Sequence, residues 1–276
     1  MIHRAFSKII SRFGWPYFAS RDVKIGRNVR FGRNVRFQCG RVRIGDGCVF
    51  HDNVLVQASE FEVGDYATIY HDNFFPGPGR LYIGHNFWLG NNCIVDASGD
   101  TEIGNNVGIG AHSQLWGHIG FGDVMFGSPY DATGALRIGH DVWLVGHNLV
   151  SPVRIGDRSM SMLGSLITRD MASDRTYAGA PATDMTDKFG PPIVPTSLAF
   201  RREYLAERLE TFGKEHNVDI WRHVGIIETD AERLPDGKIY FNIQHRTYNK
   251  TAFRLEHTLL RFLLPKAKFT PVGLIY

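Results

Sequence analysis

Between Lys24 and Phe37 the chain reads KIGRNVRFGRNVRF: an apolar residue, glycine, a polar residue, asparagine and valine, said again after six positions. Ile25, Phe31 and Phe37 open successive units, and Val29 and Val35 take the fifth place in the first two. Such spacing follows neither a helical stripe nor strict alternation. Apolar-Gly pairs recur at Ile25-Gly26, Ile44-Gly45, Val63-Gly64, Ile83-Gly84, Ile103-Gly104, Ile138-Gly139 and Ile155-Gly156, at intervals of 19, 19, 20, 20, 35 and 17 residues. All but the fifth are close to three hexads. Secondary starts lie between them at Phe31 and Phe37, Phe50 and Val56, Leu89 and Val95, Ile109 and Leu115, Leu144 and Val150, Ser161 and Ile167. This period predicts a mainly β fold, a parallel β-helix of about seven coils in which three hexads close one triangular coil.

The positional chemistry follows from the winding. The first residue of each hexad points inward and stacks on its counterparts, with coils roughly 4.8 Å apart. The fifth also points inward and must be small, as Val29, Val35, Cys48, Val54, Ala67, Cys93, Val107, Ser113, Val142, Ser159 and Ser165 are. Glycine and asparagine take the corners, where positive φ is tolerated.

Outside the repeat the pattern changes. Residues 1–22 place Ile2, Phe6, Ile9, Ile10 and Phe13 at helical spacing, with Arg4, Lys8 and Arg12 between them. That predicts an amphipathic helix packed on the domain behind it; the same pattern suits peripheral contact with an anionic membrane surface. The repeat is expected over 23–186, and the proline-bearing stretch 187–197 reads as a linker. Over 198–276 a small α+β module is predicted. Phe200, Tyr204, Leu205, Leu209 and Phe212 form one helical face, and VDIWRHVGIIET and GKIYFNIQHRTY read as strands joined across Pro235-Asp236-Gly237. TAFRLEHTLLRFLL then suggests a closing helix ended by Pro265.

Composition narrows the classes. A net charge of +3 is too small to argue for a nucleic-acid partner. Cys39, Cys48 and Cys93 show no CxxC spacing, which favours free thiols in a reducing compartment, and Cys48 and Cys93 read as small core residues. With no apolar run long enough to span a membrane and no signal-peptide pattern, the expected location is cytoplasmic, with the inner membrane face as the place for any peripheral contact.

The hexads, together with HDVWLVGHNLVSPVRIGDRSMSMLGSLITRDMASDRTYAGAPA (140–182), resemble the hexapeptide-repeat acyltransferases, galactoside and polysaccharide O-acetyltransferases among them. The resemblance covers roughly Val23 to Ala182. It implies a left-handed winding, a homotrimer, and acetyl-CoA as acyl donor for a saccharide or nucleotide-sugar acceptor. O-transfer to a sugar hydroxyl and N-transfer to an amino sugar both fit it.

The long interval, Ile103 to Ile138, exceeds a coil by about fifteen residues, and its surplus begins directly after His118. Loops extruded from a rigid scaffold commonly carry function. The segment SQLWGH, Ser113 to His118, resembles the family's placement of a catalytic histidine on the last strand before such a loop. A neutral imidazole is suited to accept the proton of an attacking hydroxyl. Stacking supplies its orienting partner: Val95 and Leu115 both lie twelve residues after their coil starts, so Asp96 lies beneath Trp116, two residues short of His118. A backbone carbonyl is the other group able to orient the ring.

By the same resemblance Asn91 matches an asparagine that binds a sugar hydroxyl, although both Asn91 and Asn92 also fit corners. Trp116, Phe126 and Tyr130 are candidates to flank a saccharide, and the loop's Phe121 and Met125 share that reading. Gly146, Gly164, Ser165, Thr168, Arg169 and Ala180 match the region along which the coenzyme A arm lies, with Arg169 placed to meet a phosphate. Ser161 and Met162 depart from the family's aliphatic-glycine pair.

Two readings compete. A γ-class carbonic anhydrase uses the same scaffold and binds zinc through three histidines. In that family two of them are separated by four residues, whereas here five separate His112 from His118, which sends them to different faces; no metal site is expected. A solenoid that binds without catalysing is the other. His85 and His140 fall on third positions, where a solvated corner histidine is ordinary.

Overall fold

The computed structural model describes residues 15–120, 122–229, 237–251 and 253–272. They form two compact units that divide between Ile193 and Val194. The candidate helix at the N-terminus lies outside the described residues up to Trp15, as does Phe121.

In the first unit, short parallel strands stack in columns. Ile25, Ile44, Val63, Ile83, Ile103, Ile138 and Ile155 are successive register partners in one column. Phe31, Phe50, Ile69, Leu89, Ile109, Leu144, Ser161 and Tyr177 form a second. In the third, Phe37, Val56 and Phe75 pair in turn, and so do Val95, Leu115, Val150 and Ile167. Each hexad start thus meets its counterpart on the next coil, and the fold is a parallel β-helix. Winding begins before Val23: Tyr17–Phe18 is a strand paired in parallel with Arg36–Phe37. It ends where Thr183–Asp184 turns back antiparallel on Tyr177–Ala178.

The interior changes character along the axis. In the first coils Phe18 stacks on Phe37 at 4.9 Å and Phe31 on Phe50 at 5.3 Å, while Phe37 meets Phe50 edge-on at 5.4 Å. Full burial of one such ring contributes about 1.5–3 kcal/mol. In the last coils the fifth-position serines are buried, and each hydroxyl donates to the carbonyl three residues back. Ser113 reaches Gly110 at 2.8 Å, Ser159 Gly156 at 2.7 Å and Ser165 Met162 at 2.8 Å. A polar core is tolerable because it is bonded.

The corners are ladders of their own. Fourth-position asparagines such as Asn34, Asn53, Asn86 and Asn106 adopt φ between 58° and 61°. Their amides run from coil to coil, as in Asn53 Nδ2 to Asp72 Oδ1 at 2.8 Å and Asn86 Nδ2 to Asn106 Oδ1 at 2.8 Å. Third-position side chains accept a backbone N–H from the preceding coil. Asp46 takes that of Arg27 at 2.7 Å, Asp65 that of Asp46 at 2.8 Å and Asp157 that of His140 at 2.7 Å. His85 and His140 do the same through Nδ1, accepting from Asp65 and Asn105 at 2.9 Å each.

In the second unit, α1 (Leu198–His216) is capped by the Ser197 hydroxyl, which accepts from Phe200 N at 3.1 Å, and it buries Leu205, Leu209 and Phe212. Phe200, in the first turn, is exposed rather than part of the buried face. Strand Val224–Ile227 pairs with Ile239–Asn242 in parallel, so the two are not the arms of a tight hairpin; residues 230–236 lie outside the described set. The antiparallel pair is Ile239–Asn242 with Thr247–Asn249, which lie within GKIYFNIQHRTY except for Asn249 just beyond it. Asn242 Oδ1 accepts from Gln244 and His245 N at 3.0 Å each, which makes the turn between them. Helix α2 (Arg254–Leu263) follows, and Thr270–Val272 adds a strand the sequence pattern did not mark, parallel to Thr247–Asn249. Among the described residues no helix is long and apolar enough to cross a membrane.

Candidate active site

The site grows from the corner that follows the third column. After Leu115 the chain leaves the coil. Strand His118–Gly120 pairs antiparallel with Asp131–Thr133, in register His118 to Thr133, so the surplus residues form an extruded hairpin. Gly134 N returns to Gly117 O at 3.0 Å, and Leu136 rejoins the first column opposite Thr101. Near the hairpin's tip the Asp123 carboxylate accepts from Met125 N at 3.0 Å and Phe126 N at 3.3 Å, holding one helical turn. That turn presents Met125 and Phe126 almost fully to solvent.

One coil down, Val95 pairs with Leu115, and Asp96 N donates to Leu115 O at 2.8 Å. This register places the Asp96 carboxylate against His118, with Oδ2 hydrogen-bonded to Nδ1. The same oxygen accepts from Gly117 N at 3.0 Å. The other, Oδ1, accepts from Ser98 N at 2.8 Å and Ser98 Oγ at 2.7 Å. The Asp96 side chain is 0% exposed, while that of His118 is 37% exposed. Burial by itself would push the Asp96 carboxyl up; the bonds from Ser98, His118 and Gly117 outweigh it and hold the group below the ordinary carboxylate value.

With Asp96 ionised, the proton of a neutral His118 belongs on Nδ1 and the Nε2 lone pair is free. A histidine arranged this way can take a proton from a substrate on its exposed side. Trp116 forms a wall, its ring edge-on to the imidazole at 5.9 Å, and its Nε1 donates to Gln114 Oε1 at 3.3 Å. Gly117 sits tightly: a Cβ there would stand 3.0 Å from both Asp96 O and Gly99 N, so a side chain needs that backbone to give by a few tenths of an ångström.

The remaining candidates separate. Tyr130 and Phe126 are exposed on the hairpin. Asn91 is a corner residue, its Oδ1 accepting from His71 N at 3.0 Å. Ser165 faces the interior with its hydroxyl on Met162 O, because it holds a fifth position, so its side chain does not line a surface groove. Gly146 is buried, whereas Gly164, Thr168, Arg169 and Ala180 are exposed. Gly164, at φ 71°, has nothing within 4 Å of where a Cβ would stand. His112 is at another corner, stacked on His147 at 4.9 Å, and does not converge with His118. Among the described residues no three His, Cys, Asp or Glu side chains are grouped to hold a metal ion. Ser98 was not singled out from the sequence: an Asp side chain that bonds the backbone two residues on is a common local turn, and nothing in the period marks this one.

No family model matches the chain. In sequence it is 29% identical over 135 residues to the galactoside O-acetyltransferase of Escherichia coli (strain K12), a match that takes in 46% of this chain and 64% of that protein. The chain is similar in sequence to galactoside O-acetyltransferase, spanning a little under two thirds of that protein's length. Solved structures with some likeness include the polySia-specific acetyltransferase NeuO, at 17% identity and TM-score 0.39 over 66% of this chain and 83% of that one. A variant of AntD, an N-acyltransferase from Bacillus cereus solved with dTDP-4-amino-4,6-dideoxyglucose and coenzyme A, gives 12%, 0.40, 72% and 96%. A maltose O-acetyltransferase from Clostridium difficile 630 gives 15%, 0.33, 66% and 84%. Within this hexapeptide-repeat chain the two departures from the family pattern have different surroundings. Ser161 is buried, donating to Asn148 Oδ1 at 2.8 Å, while Met162 is partly exposed next to Leu163, which is 65% exposed.

Proposed function

We propose that this chain is an acetyl-CoA-dependent O-acetyltransferase acting on a sugar or glycan hydroxyl, with His118 as the general base. The observation that carries the reading is the Asp96–His118 pair, buried on the carboxylate side and open on the imidazole side, at the foot of the extruded hairpin. The sugar acetyltransferase in its sequence neighbourhood supports the choice of reaction.

The transfer is direct. Asp96 holds the Nδ1–H, leaving Nε2 to accept the acceptor hydroxyl's proton as its oxygen attacks the thioester carbonyl. The tetrahedral intermediate collapses with cleavage of the C–S bond. The departing thiolate takes the proton from His118, so the products are the acetyl ester and free coenzyme A, and the imidazole is neutral again. Asp96 stays ionised throughout and stabilises the imidazolium between the two proton transfers.

Gly164, Thr168, Arg169 and Ala180 are the exposed part of the donor surface, with the Arg169 guanidinium suited to a phosphate. Trp116 forms one wall for the acceptor, and Phe126 and Tyr130 supply apolar rings on the hairpin. A homotrimer, in which a neighbouring copy completes the groove, belongs to the same reading. An amine on a nucleotide-linked sugar is the alternative acceptor, for which the same imidazole removes the proton.

Thiol release from acetyl-CoA with a panel of mono- and oligosaccharides and nucleotide sugars tests this. Acceptor-dependent release, with an acetylated sugar recovered by mass spectrometry, is the expected result. The absence of both coenzyme A binding and thioester consumption, whatever the acceptor, would overturn it.

A further inference from the structure

We infer that Ser98 is a positioning residue for the Asp96–His118 pair, an inference that rests on the reading of His118 as general base. The Asp96 main chain is pinned on both sides: its N–H donates to Leu115 O at 2.8 Å, and its carbonyl accepts from Thr101 Oγ1 at 3.0 Å. What remains free is rotation of the carboxylate about its own bond. Gly117 N, at 3.0 Å, holds Oδ2, the oxygen that also serves His118. Two groups of one residue hold Oδ1: the Ser98 amide at 2.8 Å and the Ser98 hydroxyl at 2.7 Å.

These bonds fix the plane of the carboxylate, and that plane sets the direction in which Oδ2 receives the imidazole proton. The imidazole's direction in turn aims Nε2. Ser98 therefore acts on the reaction without touching either substrate. Asp96 is wholly buried while Ser98 is partly exposed, so a water entering in place of the deleted hydroxyl would hold Oδ1 without the fixed direction that the side chain gives it. The remaining amide then restrains Oδ1 alone, and the carboxylate gains freedom to turn toward Gly117.

The experiment compares Ser98→Ala, Ser98→Thr and His118→Ala with the wild-type protein, using acetyl-CoA and an acceptor found by the thiol-release screen. Ser98→Ala is expected to lower kcat by about tenfold with KM for both substrates unchanged, the size of one lost hydrogen bond to a charged group. Ser98→Thr, which keeps the hydroxyl, is expected to restore kcat to within about twofold of wild type. Nitrogen-15 spectra of labelled histidine add a readout that a structural role would not move: the Nδ1–H tautomer of His118 should dominate in wild type and Ser98→Thr and give way to a mixture in Ser98→Ala. Wild-type kcat in Ser98→Ala, a raised KM in its place, or no recovery in Ser98→Thr would overturn the assignment. Full turnover by His118→Ala is a separate result that would remove the underlying reading instead.

Discussion

Asp96 and His118 are hydrogen-bonded across 22 residues of chain because one rung of the solenoid lies directly on the next. The pairing of Val95 with Leu115 fixes the register, and His118, three residues beyond Leu115 at the foot of the hairpin, brings its imidazole over the carboxylate. The contact is a product of the winding itself.

Replacing the carboxylate by an amide should expose this dependence. Asp96→Asn keeps the shape but offers His118 Nδ1 an N–H or a weaker acceptor, and so favours the wrong tautomer. A kcat loss on the order of 10²–10⁴ is expected with little change in either KM. Steady-state kinetics beside thermal melts of the same preparation check it.

Stability should fall in acid for a nameable reason. Asp96 has its folded-state pKa depressed by Ser98, His118 and Gly117 against the effect of burial, and Asp52 has its own lowered by the Arg33 backbone and side-chain bonds. A depressed folded value contributes stability that is fully present above the unfolded pKa of about 3.9 and lost as pH falls through the folded value. Urea midpoints measured from pH 7 downward should hold until that range and then drop. In Asp96→Asn the drop should be shallower; an identical pH dependence would contradict the assignment.

The three thiols should be silent in the native protein. Cys39, Cys48 and Cys93 are buried, and burial pushes the Cys39 and Cys93 thiols up. A disulfide-exchange reagent should label none of them in buffer and all three in denaturant. Fast labelling of Cys48 or Cys93 in buffer would mean the fifth positions do not face inward.

Two glycines on neighbouring positions of one face should behave oppositely. A Cβ at Gly110 would lie 1.8 Å from the Val145 carbonyl oxygen, a backbone atom on the next coil, whereas at Gly108 its nearest neighbour is Trp143 Cδ1 at 3.5 Å. Gly110→Ala should destabilise by about 1–3 kcal/mol or more, and Gly108→Ala should stay within about 0.5 kcal/mol. Denaturant titration of both variants decides it.

The solenoid could be read from the sequence because its inward positions each demand one residue class, so Ile25 predicts Ile44 and Val63 by counting. The Asp96–His118 contact was legible for the same reason. Ser98 and Gly117 were not, since their bonds to Asp96 depend on how the corner bends rather than on the period. Ser165 carries two readings at once: its fifth position points the side chain inward, as its bond to Met162 O shows, while the family resemblance matches it to the region along which the donor lies. Asn91 carried two readings from the sequence, and its bond to His71 N shows the corner one. In the second unit Pro235-Asp236-Gly237 promised a turn, but a turn signal does not name a strand's partner, and Val224–Ile227 pairs in parallel.

The most direct measurement is turnover by His118→Ala with acetyl-CoA and a wild-type acceptor, at matched folding and coenzyme A affinity. A kcat lowered by about 10²–10⁴ is the predicted result. Wild-type turnover in that variant would contradict the account.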